Sequence, residues 1–320
     1  MKVSLIFTLK NEESNIREFL ESLLSQSRLP DEIVVVDGGS TDKTVEIIKS
    51  YINKANSIRL IVKNGVNIAE GRNIAIKNSN YDIIASTDAG CRIDKDWLKY
   101  LIKPFEEDQS VDVVSGWYEA DARNEFEKSI AEVTYPKIER VLENLDEFLP
   151  SARSIAFKKF AWDKVGGYPE QLTLTAEDTL FDLNLKKAGC KFAFAPKAVV
   201  YWRVRSNVKN LFRQYYLYSK GDGEAGIFTM RYLGLIFKKY AIGVLVFVLG
   251  FKYQLFWFLF AGGVLFFVLR TCKRYPRYSF RALGLVSLIE ISQICGWLAG
   301  GCQRLKKTGI KNLSSPEENT

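Results

Sequence analysis

Three short acidic segments contain the residues best suited to chemistry. Asp37 and Asp88 each follow a short apolar run, and Glu177 and Asp178 stand side by side. A carboxylate can accept the ring N–H of a pyrimidine, bind a hard divalent cation or take a proton from an attacking hydroxyl group. If the three segments meet, they form one cleft for a nucleotide, a metal-bound diphosphate and a catalytic base.

Each of these residues also has a structural explanation. Asp37 precedes two glycines, which allow close backbone approach and are typical of a turn. Aspartate is a good helix cap, which is the alternative for Asp178. Glu12 can complement a helix dipole or accept a hydrogen bond from a ribose hydroxyl group. Arg72 can reach a phosphate or form a structural salt bridge. The residues alone leave both readings open.

The composition excludes several classes of reaction. The chain has 320 residues and no histidine, which excludes Ser-His or Cys-His catalysis, an HExxH zinc site and a haem histidine ligand. Acid–base chemistry therefore falls to Asp, Glu, Lys, Tyr or Cys. The five cysteines are scattered and form no CxxC motif, which indicates reduced structural thiols.

The elements that position the acidic residues follow from hydrophobic spacing in the first hundred residues. Predicted strands are 3–9, 32–36, 58–62 and 83–86, and predicted helices are 12–25, 43–51 and 68–78. The first residues read as a strand and lack the pattern of a signal peptide. This alternation predicts an α/β fold with a doubly wound, mostly parallel sheet. Asp37 and Asp88 then lie at carboxyl ends of strands, where such sheets bind ligands.

Beyond residue 100 the alternation is less regular. Helical spacing predicts helices over 96–107, with a break at Pro104, and over 126–145, 159–165 and 178–188. Apolar runs predict strands over 111–119, 155–157, 191–195 and 198–203. An aromatic and basic stretch over 207–228 predicts a helix at a membrane interface or a surface helix joining two domains.

The last third of the chain predicts a membrane region. Long apolar runs over 232–303 contain two to three transmembrane or re-entrant helices. The domains are then a catalytic domain (1–205), an interfacial amphipathic linker (206–231), these helices and a polar tail (304–320). The formal net charge is +8, and much of it flanks the apolar runs, which favours contact with membrane lipids over nucleic acid. We expect a multi-pass protein of the cell membrane whose catalytic domain faces the cytoplasm.

The motifs together resemble family-two glycosyltransferases with the GT-A fold. The resemblance covers roughly residues 1–220 and rests on motifs that occur in the order typical of that family. They are Lys10-Asn11-Glu12-Glu13, Val36-Asp37-Gly38-Gly39-Ser40-Thr41-Asp42, Glu70-Gly71-Arg72-Asn73, Thr87-Asp88-Ala89 and Glu177-Asp178. The segment Arg153–Glu170, with Val165-Gly166-Gly167-Tyr168, also resembles the family's stretch before the acidic pair.

The resemblance implies an inverting transfer of a sugar from a nucleotide-diphosphate sugar. Asp178 would be the base that deprotonates the acceptor, and Asp88 would hold Mg²⁺ or Mn²⁺. The donor nucleotide would be bound by Thr8, Lys10, Glu12, Asp37, Gly39 and Arg72. The acceptor, a polyprenyl phosphate or a lipid-linked saccharide, would lie near Glu177, Arg203, Arg205 and Arg213.

The chain departs from the family pattern at two places. The second Asp of the metal motif is Gly90, so another oxygen must replace that ligand or metal dependence is weaker. The usual Gln-x-x-Arg-Trp motif is absent, which argues against a processive polysaccharide synthase. Alternatives are a GT-A scaffold that lost activity and, less favoured, a sugar nucleotidyltransferase, which would need a Gly-rich phosphate loop after the first strand.

Overall fold

The computed structural model describes residues 1–52, 57–173 and 175–314. The chain forms two compact units. One unit consists of Met1–Asp121 and Tyr135–Arg203, and the other of Ala122–Thr134 and Val204–Thr320. All strands of the described residues lie in the first unit, whereas the second is helical.

The first unit is built on one eight-stranded sheet. In chain order the strands are β1 (Val3–Leu9), β2 (Glu32–Asp37), β3 (Ile58–Val62), β4 (Ile83–Ser86), β5 (Cys91–Ile93), β6 (Val113–Asp121), β7 (Ile155–Lys158) and β8 (Phe192–Arg203). Their order in space is β3-β2-β1-β4-β7-β6-β8-β5. The first four pair in parallel, as do β6 and β8, whereas β7 and β5 run antiparallel to their neighbours. The predicted α/β fold with a mixed, mostly parallel sheet is confirmed.

Helices connect these strands and form the second unit. They are α1 (Ile16–Leu24), α2 (Thr44–Ile52), α3 (Ile68–Lys77), α4 (Trp97–Glu107), α5 (Glu125–Thr134), α6 (Ile138–Glu143), α7 (Lys159–Lys164), α8 (Glu177–Lys187), α9 (Val208–Ala225), α10 (Thr229–Gly234), α11 (Ile242–Gly250), α12 (Leu255–Arg274) and α13 (Ser279–Ser314). Leu5 and Phe7 of β1 enter one apolar core, and Ile6 enters another. Both faces of β1 are thus buried, which agrees with the apolar residues at five of its seven positions.

The strand directions bring several chain segments to one edge of the sheet. The parallel strands β1, β2 and β4 end there. Strand β7 runs antiparallel to β4, with Ile155 opposite Ser86, so the residues just before β7 lie at this edge too. The structure thus adds a segment that the parallel pattern alone does not place near Asp88.

Proline positions explain three differences from the predicted elements. Helix α4 continues through Pro104 to Glu107, because a proline three residues from the end removes one hydrogen bond without ending the helix. Pro136 lies between α5 and α6, where a single helix was predicted, and the residue before a proline avoids helical dihedrals. Pro196 lies within β8, which is one strand instead of the predicted two.

A bulge lets β8 remain one strand. Ser115 of β6 faces Phe194, but Trp117 faces Val199, so the register shifts around Pro196. A bulge accommodates residues that cannot join the ladder. The sequence prediction also missed β5, whose three residues are too few for a periodic signal.

In the second unit, α9 packs against α13 at very short range. A Cβ atom on Gly300 would overlap the backbone oxygen of Lys220, and one on Gly223 would overlap the backbone oxygen of Trp297. Gly296 meets the backbone of Tyr216 in the same way. Small residues at these three positions allow the two backbones to approach.

Three helical segments are long and apolar enough to cross a membrane. They are Thr229–Gly250, Leu255–Arg274 and Pro276–Lys307. Lys239 and Glu290, near the middle of the first and third, form an ion pair, and the Tyr240 hydroxyl donates to the same carboxylate at 2.8 Å. Charged groups in apolar surroundings are costly unless they are paired, so this contact ties the two segments together.

We predict that Gly300→Ala lowers the stability of the helical unit, because the new methyl group overlaps the backbone of α9. Overpacking of this kind costs about 1–3 kcal/mol. The matched control is Gly301→Ala, whose Cβ would meet nothing within 4 Å. Thermal unfolding of the purified protein in detergent measures both. Equal melting temperatures for the two variants would contradict the close packing.

Candidate active site

The loop after β2 is shaped by Asp37. Its carboxylate is fully buried and accepts hydrogen bonds from the backbone N–H groups of Gly39 (2.9 Å) and Ser40 (2.8 Å), and from the Ser40 hydroxyl. Gly39 has a φ of +91°, which favours glycine. Asp37 therefore holds the turn, which is one of its two predicted roles. Its contact with a nucleotide stays a prediction.

The loop after β1 is bonded to this turn. Asn11 donates its backbone N–H to the Ser40 hydroxyl (2.8 Å) and accepts from the Thr41 backbone (2.8 Å). The backbone N–H of Glu12 donates to Thr44 at 2.9 Å. The two loops that carry residues predicted to bind the donor nucleotide are thus bonded to each other and form one edge. Lys10 is exposed on this edge.

Thr8 and Gly71 bring helix α3 against the end of β1. The Thr8 hydroxyl donates to the backbone oxygen of Val36 at 3.0 Å, and a Cβ on Gly71 would overlap that hydroxyl. This close approach places the next residue, Arg72, near the end of β1. Glycine at position 71 is thus needed for the position of the arginine side chain.

Arg72 joins two of the predicted acidic sites. Its side chain is 5% exposed, and its guanidinium group lies 2.5 Å from the carboxylate of Glu177 and 3.1 Å from that of Asp88. Burial alone lowers the pKa of Arg72, but the charges of Glu177 and Asp88 outweigh this and raise it. Of its two predicted roles, the structure shows the salt bridge. A contact with the donor stays a prediction.

The acidic pair begins α8 after a strained residue. Ala176, with a φ of +71°, precedes the helix, and its side chain caps nothing. Glu177 is buried; burial and the charge of Asp178 raise its pKa to about 7 despite the nearby Arg72. Asp178 is half-exposed and accepts the backbone N–H of Thr179 at 2.8 Å. Asp178 is thus the more exposed member of the pair.

A third carboxyl group on α8 was missed by the sequence reasoning. Asp182 lies one turn beyond Asp178 and is 1% exposed. Within the described residues, neither of its side-chain oxygens has a hydrogen-bond partner. Burial, followed by the charge of Asp178, raises its pKa well above the usual range. Only the i, i+4 spacing of Asp182 from Asp178 could have indicated this buried carboxyl group from the sequence.

Asn73 fixes the chain that leads to α8. Its amide donates to the backbone oxygen of Tyr168 (2.9 Å) and to the carboxylate of Glu170 (2.8 Å), and its oxygen accepts from Trp162 (2.9 Å). Adjacent residues of α3 thus hold both the approach to α8 and its first turn.

Arg153 is a second residue that the sequence reasoning missed as a site residue. It lies two residues before β7, and its Nε atom is 3.9 Å from the carboxylate of Asp88. Its guanidinium group stacks on Trp202, 3.7 Å from the ring centroid, and donates to the Ser151 hydroxyl at 2.8 Å. Asp88 therefore faces a guanidinium group on each of its two oxygens.

The predicted acceptor arginines belong to different units of the chain. Arg203 ends β8 in the first unit and donates to the backbone oxygen of Asp121 at 2.9 Å. Arg205 belongs to the second unit and donates to Gln214 at 3.0 Å. Arg213 is exposed on α9. Their contact with an acceptor stays a prediction.

The side chains around Asp88 do not fit a cation held by the protein. Across residues 1–52, 57–173 and 175–307, no group of three or more His, Cys, Asp or Glu side chains is arranged to hold a metal ion. Asp88 is the one carboxylate that remains of the metal motif, and Gly90 opens onto empty space. Both oxygens of Asp88 face arginines, which repel a divalent cation.

Comparison with protein families and curated proteins identifies relatives. The sequence model of the protein family described as Glycosyl transferase family 2 matches residues 4–165 of this chain. A poly-beta-1,6-N-acetyl-D-glucosamine synthase of Staphylococcus aureus (strain COL) is 22% identical over 227 residues, 69% of this chain and 55% of that protein. The chain spans about half the length of the curated relatives it matches.

Solved structures share the fold over nearly the whole chain. Residues 1–349 of TarS from S. aureus match with a TM-score of 0.53 and 19% identity, covering 96% of this chain and 92% of that one. The mannosyltransferase PcManGT from Pyrobaculum calidifontis, solved with GDP-Man and Mn²⁺, matches with a TM-score of 0.56 and 17% identity, covering 99% and 88%. At these identities the similarity shows the GT-A-like fold.

We predict that Glu177 makes the protein less stable as the pH rises from about 4.5 to about 7. Its pKa of about 7 exceeds the ordinary 4.5, so the folded state binds this proton more tightly than the unfolded chain does. The stabilising effect is complete below pH 4.5 and is lost by pH 7, at a cost of about 3 kcal/mol. Melting temperatures from pH 4.5 to 8 measure it.

Glu177→Gln should flatten this part of the pH profile, and Glu106→Gln, on the exposed face of α4, should not. If Glu177→Gln and the unmodified protein lost stability equally over this interval, Glu177 would not be the titrating group.

Proposed function

The chain belongs to glycosyl transferase family 2, and from this membership we propose that it moves a sugar from a nucleotide-diphosphate sugar to a membrane-associated acceptor with inversion. The main observation is the Arg72 bridge, which joins Asp88, at the predicted donor side, to the acidic pair of α8. A donor diphosphate and a base on one sheet edge are what an in-line displacement needs.

Asp178 is the proposed base. Glu177 is buried against Arg72, and Asp182 is buried too, whereas Asp178 is half-exposed. The Asp178 carboxylate takes the proton of the acceptor hydroxyl group while the acceptor oxygen attacks the anomeric carbon. The bond from that carbon to the diphosphate breaks, and its electron pair leaves with the diphosphate. Attack from the face opposite the leaving group inverts the anomeric configuration.

The proposed donor site lies on the joined loops after β1 and β2. Their backbones are held by Asp37, Asn11 and Ser40, so the exposed edge is preorganised for a nucleotide. We assign Thr8, Lys10, Glu12, Asp37, Gly39 and Arg72 to this role. Arg72 acts there through Asp88, since its guanidinium group is buried.

The role of Mg²⁺ or Mn²⁺ stays a prediction. PcManGT was solved with Mn²⁺, and bound cations of this kind neutralise diphosphate charge. In this chain the surroundings of Asp88 do not fit such an ion, so no step of the proposed reaction passes through it.

The proposed acceptor is a polyprenyl phosphate or a lipid-linked saccharide. Within the described residues, three apolar helical segments support a membrane protein, and basic residues cluster where the second segment ends and the third begins, at 270–281. By the positive-inside rule we propose that this loop and the catalytic unit face the cytoplasm. Arg203, Arg205 and Arg213 remain the proposed partners of an acceptor phosphate.

We predict that Asp178→Asn lowers kcat by about 10³-fold or more while donor binding is retained, because the amide cannot take the proton. The assay follows nucleoside diphosphate release from nucleotide sugars, with a membrane extract as acceptor source, and calorimetry follows donor binding. Asp163→Asn on the exposed side of α7 is the control.

Unchanged turnover in Asp178→Asn would exclude Asp178 as the base. Failure of the unmodified protein to bind any nucleotide sugar would favour the inactive scaffold instead.

A further inference from the structure

The exposed apolar side chains of α13 form one stripe along the helix. Over residues 279–307, the large apolar side chains that are exposed are Phe280, Ile291, Leu298 and Leu305. With 3.6 residues per turn, their spacing places all four within about 20° of one line. Ala282 and Ile289, which lie on the opposite face, are buried. A single apolar stripe of this kind is typical of a helix that lies in a membrane interface.

Helix α11 differs, because its exposed apolar side chains point in all directions around the helix. They are Ile242, Val244, Leu245, Phe247 and Val248. A helix that is apolar all round is suited to lipid on every side. The third apolar segment, which contains α13, therefore has a different character from the first.

Two polar helices that pack on α13, α5 and α9, both begin close to the sheet. Helix α5 follows β6 after residues 122–124, and α9 follows β8 after residues 204–207. Asp121 and Arg203, the last residues of these strands, are paired with each other in the sheet. An extended linker of five residues reaches at most about 18 Å, which is less than the hydrocarbon core of about 30 Å. Both helices therefore begin on the same side of the membrane.

Helix α9 stays on that side over its whole length. It is not one of the three segments that are apolar enough to cross a membrane. Its charged residues are spread from the first turn to the last, and they are Lys209, Arg213, Lys220, Asp222 and Glu224. Charged side chains in a membrane core are costly, so α9 does not enter it.

Helix α13 contacts α5 near one of its ends and α9 near the other. Arg281 donates to the backbone oxygen of Glu125 in α5 at 3.0 Å. Lys307 forms an ion pair with Glu224 of α9 at 2.6 Å. Arg281 and Lys307 are about 39 Å apart along the helix axis, which exceeds the thickness of a hydrocarbon core. If α13 crossed the membrane, these two contacts would lie on opposite sides of it.

We propose that α13 does not cross the membrane but lies along its surface, with the apolar stripe against the acyl chains. Basic residues flank the stripe at both ends, where they attract anionic headgroups. They are Arg277, Arg281, Arg304, Lys306 and Lys307. The basic end of α13 then stays on the side of the membrane where the sheet lies, as the positive-inside rule favours.

The membrane is crossed by a hairpin of the other two apolar segments. The ring of Phe247 in α11 lies 5.1 Å from that of Trp257 in α12, so the two helices pack side by side from the turn at 251–254. Lys239, which pairs with Glu290 of α13, lies 4.3 Å from the ring of Phe267, in the half of α12 that ends in basic residues. Helix α13 thus meets the hairpin toward its basic end.

Spin labels on cysteines test the orientation of α13 by their depth in the bilayer. The labelled pair is Ile291→Cys and Leu298→Cys on the stripe, and the matched control is Leu259→Cys and Phe266→Cys on α12. Both pairs are exposed and seven residues apart. The full-length protein is placed in vesicles of phosphatidylcholine and phosphatidylglycerol, and collision with oxygen and with a nickel chelate measures depth. The background carries Cys272→Ala, Cys295→Ala and Cys302→Ala.

We expect the two labels on α13 to lie at equal depth, about 5–10 Å into the boundary of headgroups and acyl chains. The control labels on α12 should differ in depth by about 10 Å, the length of seven helical residues. A difference of about 10 Å within the α13 pair would show a third span and overturn the inference. Equal depths within the α12 pair would overturn the hairpin.

Chemical labelling from one side of the membrane gives a second readout. A membrane-impermeant maleimide is added to sealed vesicles that contain Lys306→Cys, Lys252→Cys or Glu106→Cys in the same background. All three positions are exposed, at the end of α13, in the turn at 251–254 and on α4. The background protein without an added cysteine reports any reaction of the buried Cys91 and Cys190.

Lys306→Cys should react from the same side as Glu106→Cys, and Lys252→Cys from the opposite side. Reaction of Lys306→Cys from the side of Lys252→Cys would show that α13 crosses the membrane. Reaction of all three from one side would exclude the hairpin. Melting temperatures equal to that of the unmodified protein establish that each variant is folded.

Discussion

The buried guanidinium group of Arg72 is the contact on which the candidate site depends. Burial of a charge is costly unless partners compensate it, and removal of one partner from a buried pair costs about 3–5 kcal/mol. Arg72 has two such partners, Asp88 at the end of β4 and Glu177 in the first turn of α8. The next residue, Asn73, holds the segment that leads to α8. Helix α3 therefore fixes the start of α8, where the proposed base lies, relative to Asp88.

The parts of the site that sequence could predict are those fixed by chain order. Alternating strands and helices predict a parallel sheet, and in such a sheet Asp37 and Asp88 lie at one edge. Arg153 could not be found in this way, because the four residues of β7 carry no signal for strand direction, and only the antiparallel pairing brings Arg153 to Asp88. The sequence also left the partner of Arg72 undecided, because whether its guanidinium group meets a phosphate or a carboxylate depends on where α8 begins.

In the helical unit, too, some features could be predicted from the sequence and others could not. Apolar length predicted membrane segments, and three helical segments of that character are present. Packing could not be predicted, because a glycine in an apolar run gives no indication of which helix approaches it. Gly300 meets α9 closely, whereas its neighbour Gly301 meets nothing within 4 Å. The stretch around α9 resembled an interfacial helix by composition, and its packing against α13 depends on a contact between distant parts of the chain.

Three carboxyl groups at the start of α8 share a region but not an environment, and this separation supports their different roles. The negative charge of Asp178 contributes to the raised pKa values of both Glu177 and Asp182. Asp182 and Glu177 are both buried, and Glu177 lies against Arg72. Asp178 is half-exposed, and this difference in exposure is the reason why we propose Asp178 as the base. The same Arg72 bridge holds Asp88 in place, so one buried guanidinium group fixes both the residue that follows β4 and the first turn of α8.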